Sequence, residues 1–288
     1  MASIGDYVRG GSVEEALALL QKATLPVRVL AGGTDFLPRL RFDPAKKVQV
    51  VDIGEASDLA GIVPASHGLR LGAATKLADV AGARELSGSA WQALAEAASL
   101  VGSPQIRNLA TLGGNICNAS PAADTVPSLL VLDAQVELVS ARGRRTVPLS
   151  EFFLGPGRTI LELDEIMASV LIPEPPPGAV ATYLKHSPRR AMDLAVVGVG
   201  ILLARVEGQI EARIALGAVA PTPLRARQAE RLLGQAPHLS DELIADAARL
   251  AAQEARPISD VRASAEYRTA IVKALTKRAL DQLSAALD

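Results

Sequence analysis

A proline-rich run near the middle of the chain constrains the fold more than any other feature of the sequence. Residues 172–178 read Ile-Pro-Glu-Pro-Pro-Pro-Gly. Proline fixes the backbone angle φ and lacks a main-chain N–H, so such a run forms a stiff extended connector and not a helix interior. We therefore predict a domain boundary here, with one domain over residues 1–177 and a second over residues 178–288.

The N-terminal part has the pattern of a small α/β unit. Ser12 and Glu15 form a capping box at the start of an amphipathic helix. Short β-like runs over 26–30 and 48–53 flank a glycine-rich turn and a short helical segment over 36–41. This β–turn–helix–β order is typical of a small α/β subdomain. The predicted subdomains of the first domain are about 1–55 and about 56–177.

The second predicted domain begins with strands and ends with helices. An apolar run over 195–205 leads through a turn at 207–208 into a second strand over 210–219. Helical periodicity then follows in three segments, which are 224–233, 241–255 and 265–287. Strands followed by helices predict an α+β domain.

Composition excludes several functional classes. The net charge of −1 and an aromatic content of 3% argue against a nucleic-acid binder, which needs a basic surface and stacking side chains. The single cysteine, Cys117, can neither form an internal disulfide nor hold an iron–sulfur cluster. No signal-peptide pattern and no apolar run of membrane-spanning length is visible, so we expect a cytoplasmic protein without a membrane span.

Two glycine-rich turns are candidate phosphate-binding sites. The first, residues 32–35, reads Gly-Gly-Thr-Asp between a predicted strand and helix, and the second, residues 111–115, reads Thr-Leu-Gly-Gly-Asn. Paired glycines let main-chain N–H groups approach an anion, so the two turns together suit a diphosphate. The alternative is that they are ordinary turns in unrelated surface loops. The sequence Gly-Val-Gly at 198–200 lacks the third glycine of a Rossmann motif, which disfavours that site.

These motifs resemble those of the FAD-binding medium subunits of the molybdenum hydroxylases, the family of xanthine dehydrogenase and carbon monoxide dehydrogenase. The resemblance extends over essentially the whole chain, in the family's order. It is carried by Leu30–Pro38, Gln105–Asn115, Ala119–Asp124, Tyr183–Arg190 with Asp193–Ala195, and Ala265–Arg268. The resemblance implies an α+β fold, in which a two-part FAD-binding domain of the vanillyl-alcohol-oxidase/PCMH type precedes a C-terminal α+β domain. For that second domain we expect a three-stranded antiparallel sheet with helices.

The resemblance also implies a set of cofactor-binding residues. Asp124 would accept hydrogen bonds from the sugar-like portion of FAD, Met167 would be an apolar contact, and Lys185 would lie near the flavin ring. A fixed ammonium there would stabilise the charge of the reduced flavin. The residues implied to surround the diphosphate are Val29, Leu30, Ala31, Gly32, Gly33, Thr34, Asp35 and Phe36 of the first turn, and Thr111, Gly113, Gly114 and Asn115 of the second.

The implied function is electron transfer within a multi-subunit enzyme. FAD would be bound non-covalently, with no metal and no catalytic residue for the organic substrate on this chain. Molybdopterin and two-iron–two-sulfur clusters would lie on partner chains, a large and a small subunit, in a dimer of heterotrimers. Two alternatives stay open: a stand-alone FAD-dependent oxidase or reductase of the same fold, and a non-redox assembly subunit. We expect Cys117 to be structural and assign no role to His186.

Overall fold

The computed structural model describes residues 4–40, 47–189 and 191–287. Its N-terminal part is a parallel three-stranded sheet with strand order β1-β3-β2. The elements are β1 (Ile4–Arg9), α1 (Val13–Lys22), β2 (Val27–Leu30), α2 (Phe36–Leu40) and β3 (Val48–Asp52). The Ser12 hydroxyl accepts the main-chain N–H of Glu15 and so caps α1 as predicted. The predicted end of the next helical segment, Arg41, lies outside the described residues.

A five-stranded antiparallel sheet follows, with order β4-β5-β10-β6-β7. Its strands are β4 (Ile62–Ala65), β5 (Gly68–Gly72), β6 (Gln135–Ser140), β7 (Gly143–Pro148) and β10 (Ile166–Pro173), and a small hairpin joins β8 (Phe153–Gly155) to β9 (Arg158–Thr159). The helices of this part are α3 (Leu77–Ala81), α4 (Gln92–Ser99), α5 (Pro104–Arg107), α6 (Leu112–Cys117) and α7 (Thr125–Val131). Fully buried Leu71, Leu94, Ile116 and Phe152 form the centre of the core.

The stretch over 103–127 that lacked periodicity consists largely of short helices. Helices α5 and α6 have four and six residues, each at most two turns long. Ser103 caps α5 and Thr111 caps α6, each by accepting a main-chain N–H three residues on. Helices of this length show no repeat of apolar residues, which explains why the sequence pattern did not reveal them.

The C-terminal part is a four-stranded antiparallel sheet covered by helices. Its elements are β11 (Val180–His186), β12 (Val197–Val206), β13 (Gln209–Gly217), β14 (Leu224–Arg225), α8 (Arg227–Gly234), α9 (Asp241–Glu254) and α10 (Ala265–Leu287). The expected three-stranded sheet has a fourth, short strand, β14. Leu224 and Arg225 pair with β13, although they were predicted to begin a helix. The Arg225 guanidinium donates to Asp133 and Glu230, which holds this segment extended.

Glycines permit close packing of α7 on the C-terminal sheet. A Cβ atom at Gly200 would lie 2.8 Å from the Pro127 carbonyl oxygen, and one at Gly217 would lie 2.9 Å from the Pro127 ring. Both distances are below normal contact, so a larger side chain at either position would push the helix away. Gly200 on β12 and Gly217 on β13 therefore set how closely the two parts of the chain approach each other. Within the described ranges, no helix combines the length and apolar composition that crossing a membrane requires.

Candidate functional site

Both glycine-rich turns line one cavity of about 570 Å³. This volume is within the usual range of sites for small molecules and cofactors. All residues from Val29 to Phe36 line it, and so do Thr111, Gly113, Gly114 and Asn115. The two turns are thus brought together from positions about 80 residues apart in the chain. The alternative of two unrelated surface loops does not describe this arrangement.

The first turn presents main-chain donors to the cavity. Within the described part of the chain, the N–H groups of Gly32, Gly33, Thr34 and Asp35 make no hydrogen bond. Gly33 has a φ of +71°, in the left-handed region that favours glycine. The Gly33 carbonyl accepts from Leu37 N at 3.0 Å and begins α2, so the four N–H groups precede the helix. Since unpaired donors favour negative charge, this segment suits an anionic ligand.

The second turn is built differently, because its main-chain donors are already used. The N–H groups of Leu112 and Gly113 donate to the carbonyls of Thr75 and Ala73, at 2.9 and 2.8 Å. The N–H of Gly114 donates to the Thr111 hydroxyl oxygen at 3.1 Å. This turn therefore presents side-chain groups and glycine surfaces to the cavity, while the first turn presents N–H groups. Sequence reasoning treated the two turns as equivalent, and the structure shows that they are not.

At Gly32 the first turn touches Leu109 and Ala110, the two residues that lead directly into the second turn. We call this the contact between the turns. A Cβ atom at Gly32 would lie 2.2 Å from the Leu109 carbonyl oxygen and 2.8 Å from the Ala110 Cα atom. Only glycine allows this approach, because both neighbours are backbone atoms that cannot rotate away. The glycine requirement at this position therefore comes from contact between the turns as well as from access to a ligand.

A third wall of the cavity comes from the segment that leads into β10. Met167 is buried and lines the cavity, as do Leu161 and Glu165. The Arg145 guanidinium donates to both Glu165 carboxylate oxygens at 2.7 Å, and this hydrogen bonding lowers the pKa of Glu165. Leu161 and Glu165 were not predicted, because their approach to the turns depends on pairing between distant strands. The bidentate contact to Arg145 on β7 holds this wall in place.

Asp124 and Lys185 form a buried ion pair beside the cavity and are not among the residues that line it. The Lys185 ammonium donates to Asp124 Oδ2 at 2.8 Å and to the Leu100 carbonyl at 3.1 Å. The Tyr183 hydroxyl donates to Asp124 Oδ1 at 2.8 Å. Tyr183 was not singled out by sequence reasoning. No local pattern relates it to Asp124, which lies 59 positions earlier in the chain.

Burial dominates the electrostatics of this group. Desolvation raises the pKa of Asp124, and the Lys185 charge and the hydrogen bonds from Lys185 and Tyr183 oppose that rise. Burial also raises the pKa of Tyr183 well above its ordinary value, and the nearby Asp124 charge adds to this. The phenol therefore stays protonated and donates to the carboxylate.

The ion pair is connected to the cavity wall through neighbouring residues. Asn115, which lines the cavity, accepts a hydrogen bond from the Thr125 hydroxyl at 2.7 Å, and Thr125 directly follows Asp124. On the other side, Lys185 donates to the Leu100 carbonyl, and the next residue, Val101, lines the cavity. The group is therefore connected to the wall at two points.

Comparison with known proteins assigns the chain to a family. Residues 2–175 match the family model described as "FAD binding domain in molybdopterin dehydrogenase", and residues 182–283 match the "CO dehydrogenase flavoprotein C-terminal domain". The chain belongs to the FAD-binding medium subunits of the molybdenum hydroxylases.

Relatives in this family match along the whole chain. The xanthine dehydrogenase FAD-binding subunit of Escherichia coli O157:H7 is 36% identical, over 99% of this chain and 98% of that protein. The carbon monoxide dehydrogenase medium chain of Hydrogenophaga pseudoflava is 35% identical, over 96% of each chain. A solved structure of carbon monoxide dehydrogenase from Hydrogenophaga pseudoflava superposes with a TM-score of 0.93 at 33% identity, covering 100% of both chains.

Two further residues of this medium subunit were considered from the sequence. Cys117 lines the cavity, and burial raises the pKa of its thiol to about 12. It is therefore a protonated and unreactive group at neutral pH. His186 Nε2 lies 3.0 Å from the Tyr267 hydroxyl oxygen, on an exposed part of the C-terminal domain. Among the residues that the structure describes, no group of three His, Cys, Asp or Glu side chains is placed to hold a metal ion.

Proposed function

We propose that this chain binds FAD non-covalently in the cavity and is the electron-transfer flavoprotein subunit of a molybdenum hydroxylase complex. The observation that carries the proposal is the meeting of both glycine turns in one cavity, where the four main-chain N–H groups of residues 32–35 have no acceptor among the described residues. This donor set fits the diphosphate of FAD, which offers oxygen acceptors and negative charge. Family membership supports the same ligand.

Different residues of the chain would contact different parts of the cofactor. In this proposal the N–H groups of the first turn hold the diphosphate, and Thr111 and Asn115 add side-chain contacts. Val29, Leu30, Ala31 and Phe36 with Met167 supply apolar walls that exclude water. Bound FAD supplies the capacity to accept and release two electrons.

Asp124 and Lys185 belong to the same proposed site, at its flavin end. Asp124 would accept hydrogen bonds from the sugar-like portion of the cofactor, since each carboxylate oxygen keeps a lone pair beyond those used by Tyr183 and Lys185. Lys185 would place positive charge near the flavin ring. Their attachment to the wall through Thr125 and Leu100 supports this assignment.

The proposed complex places the other redox centres on partner chains. A small subunit would carry two-iron–two-sulfur clusters and deliver electrons to this chain, and a large subunit would carry molybdopterin. The full assembly would be a dimer of heterotrimers in the cytoplasm. Medium chains among the relatives support the multi-subunit arrangement.

We propose the same domain division that the proline run suggested. A FAD-binding domain of the vanillyl-alcohol-oxidase/PCMH type would cover residues 1–177, with subdomains over about 1–55 and 56–177. The C-terminal domain would cover residues 178–288. The two matched family models, over residues 2–175 and 182–283, support a division at the proline run.

The test is a titration of the purified full chain with FAD, followed by absorption and by flavin fluorescence. The expected result is one FAD per chain for the wild type and loss of binding for Gly33→Asp, which strains a φ of +71° and places a carboxylate beside the diphosphate. Gly82→Ala is the matched control, since its Cβ would meet only the Ala78 carbonyl at an ordinary 3.6 Å. A wild-type chain that is folded and refuses FAD would contradict the proposal.

A further inference from the structure

The hydroxyl of Tyr183 is a buried polar group for which the proposed function has no use. Tyr183 is only 4% exposed, and its hydroxyl donates to Asp124 Oδ1 at 2.8 Å. The other carboxylate oxygen accepts from Lys185 at the same distance. Asp124 is thus held at both oxygens by two side chains of β11, on the opposite side of the proline run.

The Gly-Val-Gly sequence at 198–200 has a role in this contact. A Cβ atom at Gly198 would lie 2.5 Å from the Tyr183 hydroxyl oxygen and 3.2 Å from its ring. The neighbouring strand therefore leaves room for the phenol where any larger residue would displace it. A glycine motif that did not fit a dinucleotide site instead makes space for a hydrogen bond to Asp124.

We propose that Tyr183 is a positioning residue of the FAD site and acts through Asp124. The inference rests on the proposed function, in which Asp124 accepts hydrogen bonds from the cofactor. To offer both oxygens as acceptors, Asp124 needs to be ionised, and to direct them at one ligand it needs a fixed orientation. The Tyr183 hydroxyl meets both needs, since it stabilises the carboxylate and fixes one of its oxygens.

Removal of the hydroxyl has a pH-dependent consequence. Burial already raises the pKa of Asp124, and loss of a hydrogen bond to the charged form raises that pKa further. A protonated Asp124 has one acceptor oxygen fewer, so FAD binding weakens as pH falls. Two other titratable groups contact Asp124 or Tyr183. Lys185 on β11 donates to Asp124, and Glu96 on α4 accepts from Thr182 and from the Tyr183 main chain. His186, at the end of β11, contacts Tyr267 instead.

The experiment measures the FAD dissociation constant of the full chain between pH 5.5 and 8.5. The variants are Tyr183→Phe, Asp124→Asn and the double variant. Tyr7→Phe is the matched control, because it removes another tyrosine–aspartate hydrogen bond, to Asp52, outside the cavity. Thermal unfolding of each variant separates weak binding from poor folding.

We expect Tyr183→Phe to weaken FAD binding by about tenfold at the acidic end, the scale of one hydrogen bond to a charged group, and by less at the alkaline end. Tyr7→Phe should bind as the wild type does. In the Asp124→Asn background, which cannot titrate at this position, Tyr183→Phe should add no pH dependence.

Three results with the variants would overturn the inference. Wild-type affinity of Tyr183→Phe at every pH removes the hydroxyl from the site. A loss that is the same at all pH values, together with a lower unfolding temperature, assigns the hydroxyl to stability alone. A pH-dependent loss that persists in the Asp124→Asn background shows that it acts on another group. If the wild type itself binds no FAD, the proposed function and this inference fail together. If the wild type binds FAD and Tyr183→Phe binds it with the same affinity, only the inference is rejected.

Discussion

Replacing Gly32 by alanine tests the contact between the two turns without adding charge. The new Cβ would lie 2.2 Å from the Leu109 carbonyl oxygen and 2.8 Å from the Ala110 Cα atom. Normal contact between such atoms begins near 3.4 Å, so the turns must separate by about 1 Å. Both neighbours are backbone atoms, and no side-chain rotation relieves the clash. We expect the first turn to move away from its place beside the second.

The size of the effect follows from the donors in that turn. A hydrogen bond of about 2.9 Å that lengthens by about 1 Å is no longer a bond. Each main-chain N–H bonded to a charged oxygen contributes about 1.5–3 kcal/mol. The first turn has four main-chain N–H groups, at residues 32–35, that make no hydrogen bond among the described residues, and in the proposed site they donate to the diphosphate. Loss of two of them would raise the Kd for FAD by at least about 100-fold, at about 1.4 kcal/mol for each factor of ten.

Flavin fluorescence titration gives the Kd directly, and thermal unfolding of the FAD-free chain gives the cost to the fold, expected at about 1–3 kcal/mol. Gly82→Ala controls for the substitution itself, because its Cβ meets only an ordinary contact of 3.6 Å. If Gly32→Ala bound FAD as tightly as Gly82→Ala and unfolded at the same temperature, the argument from contact between the turns would be refuted.

Three further outcomes are expected. Lys185→Ala removes the positive charge proposed to lie near the flavin and leaves the Asp124 carboxylate unpaired, so the flavin midpoint potential should fall by about 30 mV or more and the chain should unfold at a lower temperature. An unchanged potential in spectroelectrochemistry would reject Lys185 as a member of the site. Alkylation of Cys117 should be slow at pH 7, because burial raises its thiol pKa to about 12, and added FAD should slow it further, which mass spectrometry can follow. Hydrogen bonds from the Arg262 main chain and the Arg268 side chain hold the pKa of Asp260 at about 2, below its ordinary 3.8, so its contribution to stability is present above about pH 4 and is lost as pH falls towards 2. Acid unfolding of Asp260→Asn should therefore be less steep over that range, and a curve identical to that of the wild type would contradict this.

Local chemistry in the sequence was enough to predict the first turn. A strand, a glycine pair and a capping residue form a pattern that depends only on neighbours, and residues 27–40 fold as that pattern indicates. Helix α10 was likewise predicted with its observed bounds, because its 23 residues repeat the apolar period many times. Patterns of short range therefore identified the donors of the proposed site.

The remaining walls of the cavity depend on pairing between distant segments. Leu161 and Glu165 approach the turns only because β10 pairs with β6 and Arg145 reaches across from β7. The Asp124–Tyr183 hydrogen bond joins the two parts of the chain, and no periodicity or spacing encodes it. The N–H groups of the second turn were expected to face a ligand, but Thr75 and Ala73 provide their acceptors, and this too is a tertiary contact.

Helix α7 joins two contacts that would otherwise be independent. Asp124 precedes its first residue, and Pro127, less than one helical turn later, packs against Gly200 and Gly217. Any partner that shifts β12 of the C-terminal domain would therefore shift α7 and, with it, the Asp124 carboxylate, which the proposed site places beside FAD. Assembly with other subunits and the electronic properties of the flavin would in this way be mechanically linked, with the proline side chain as the point of contact.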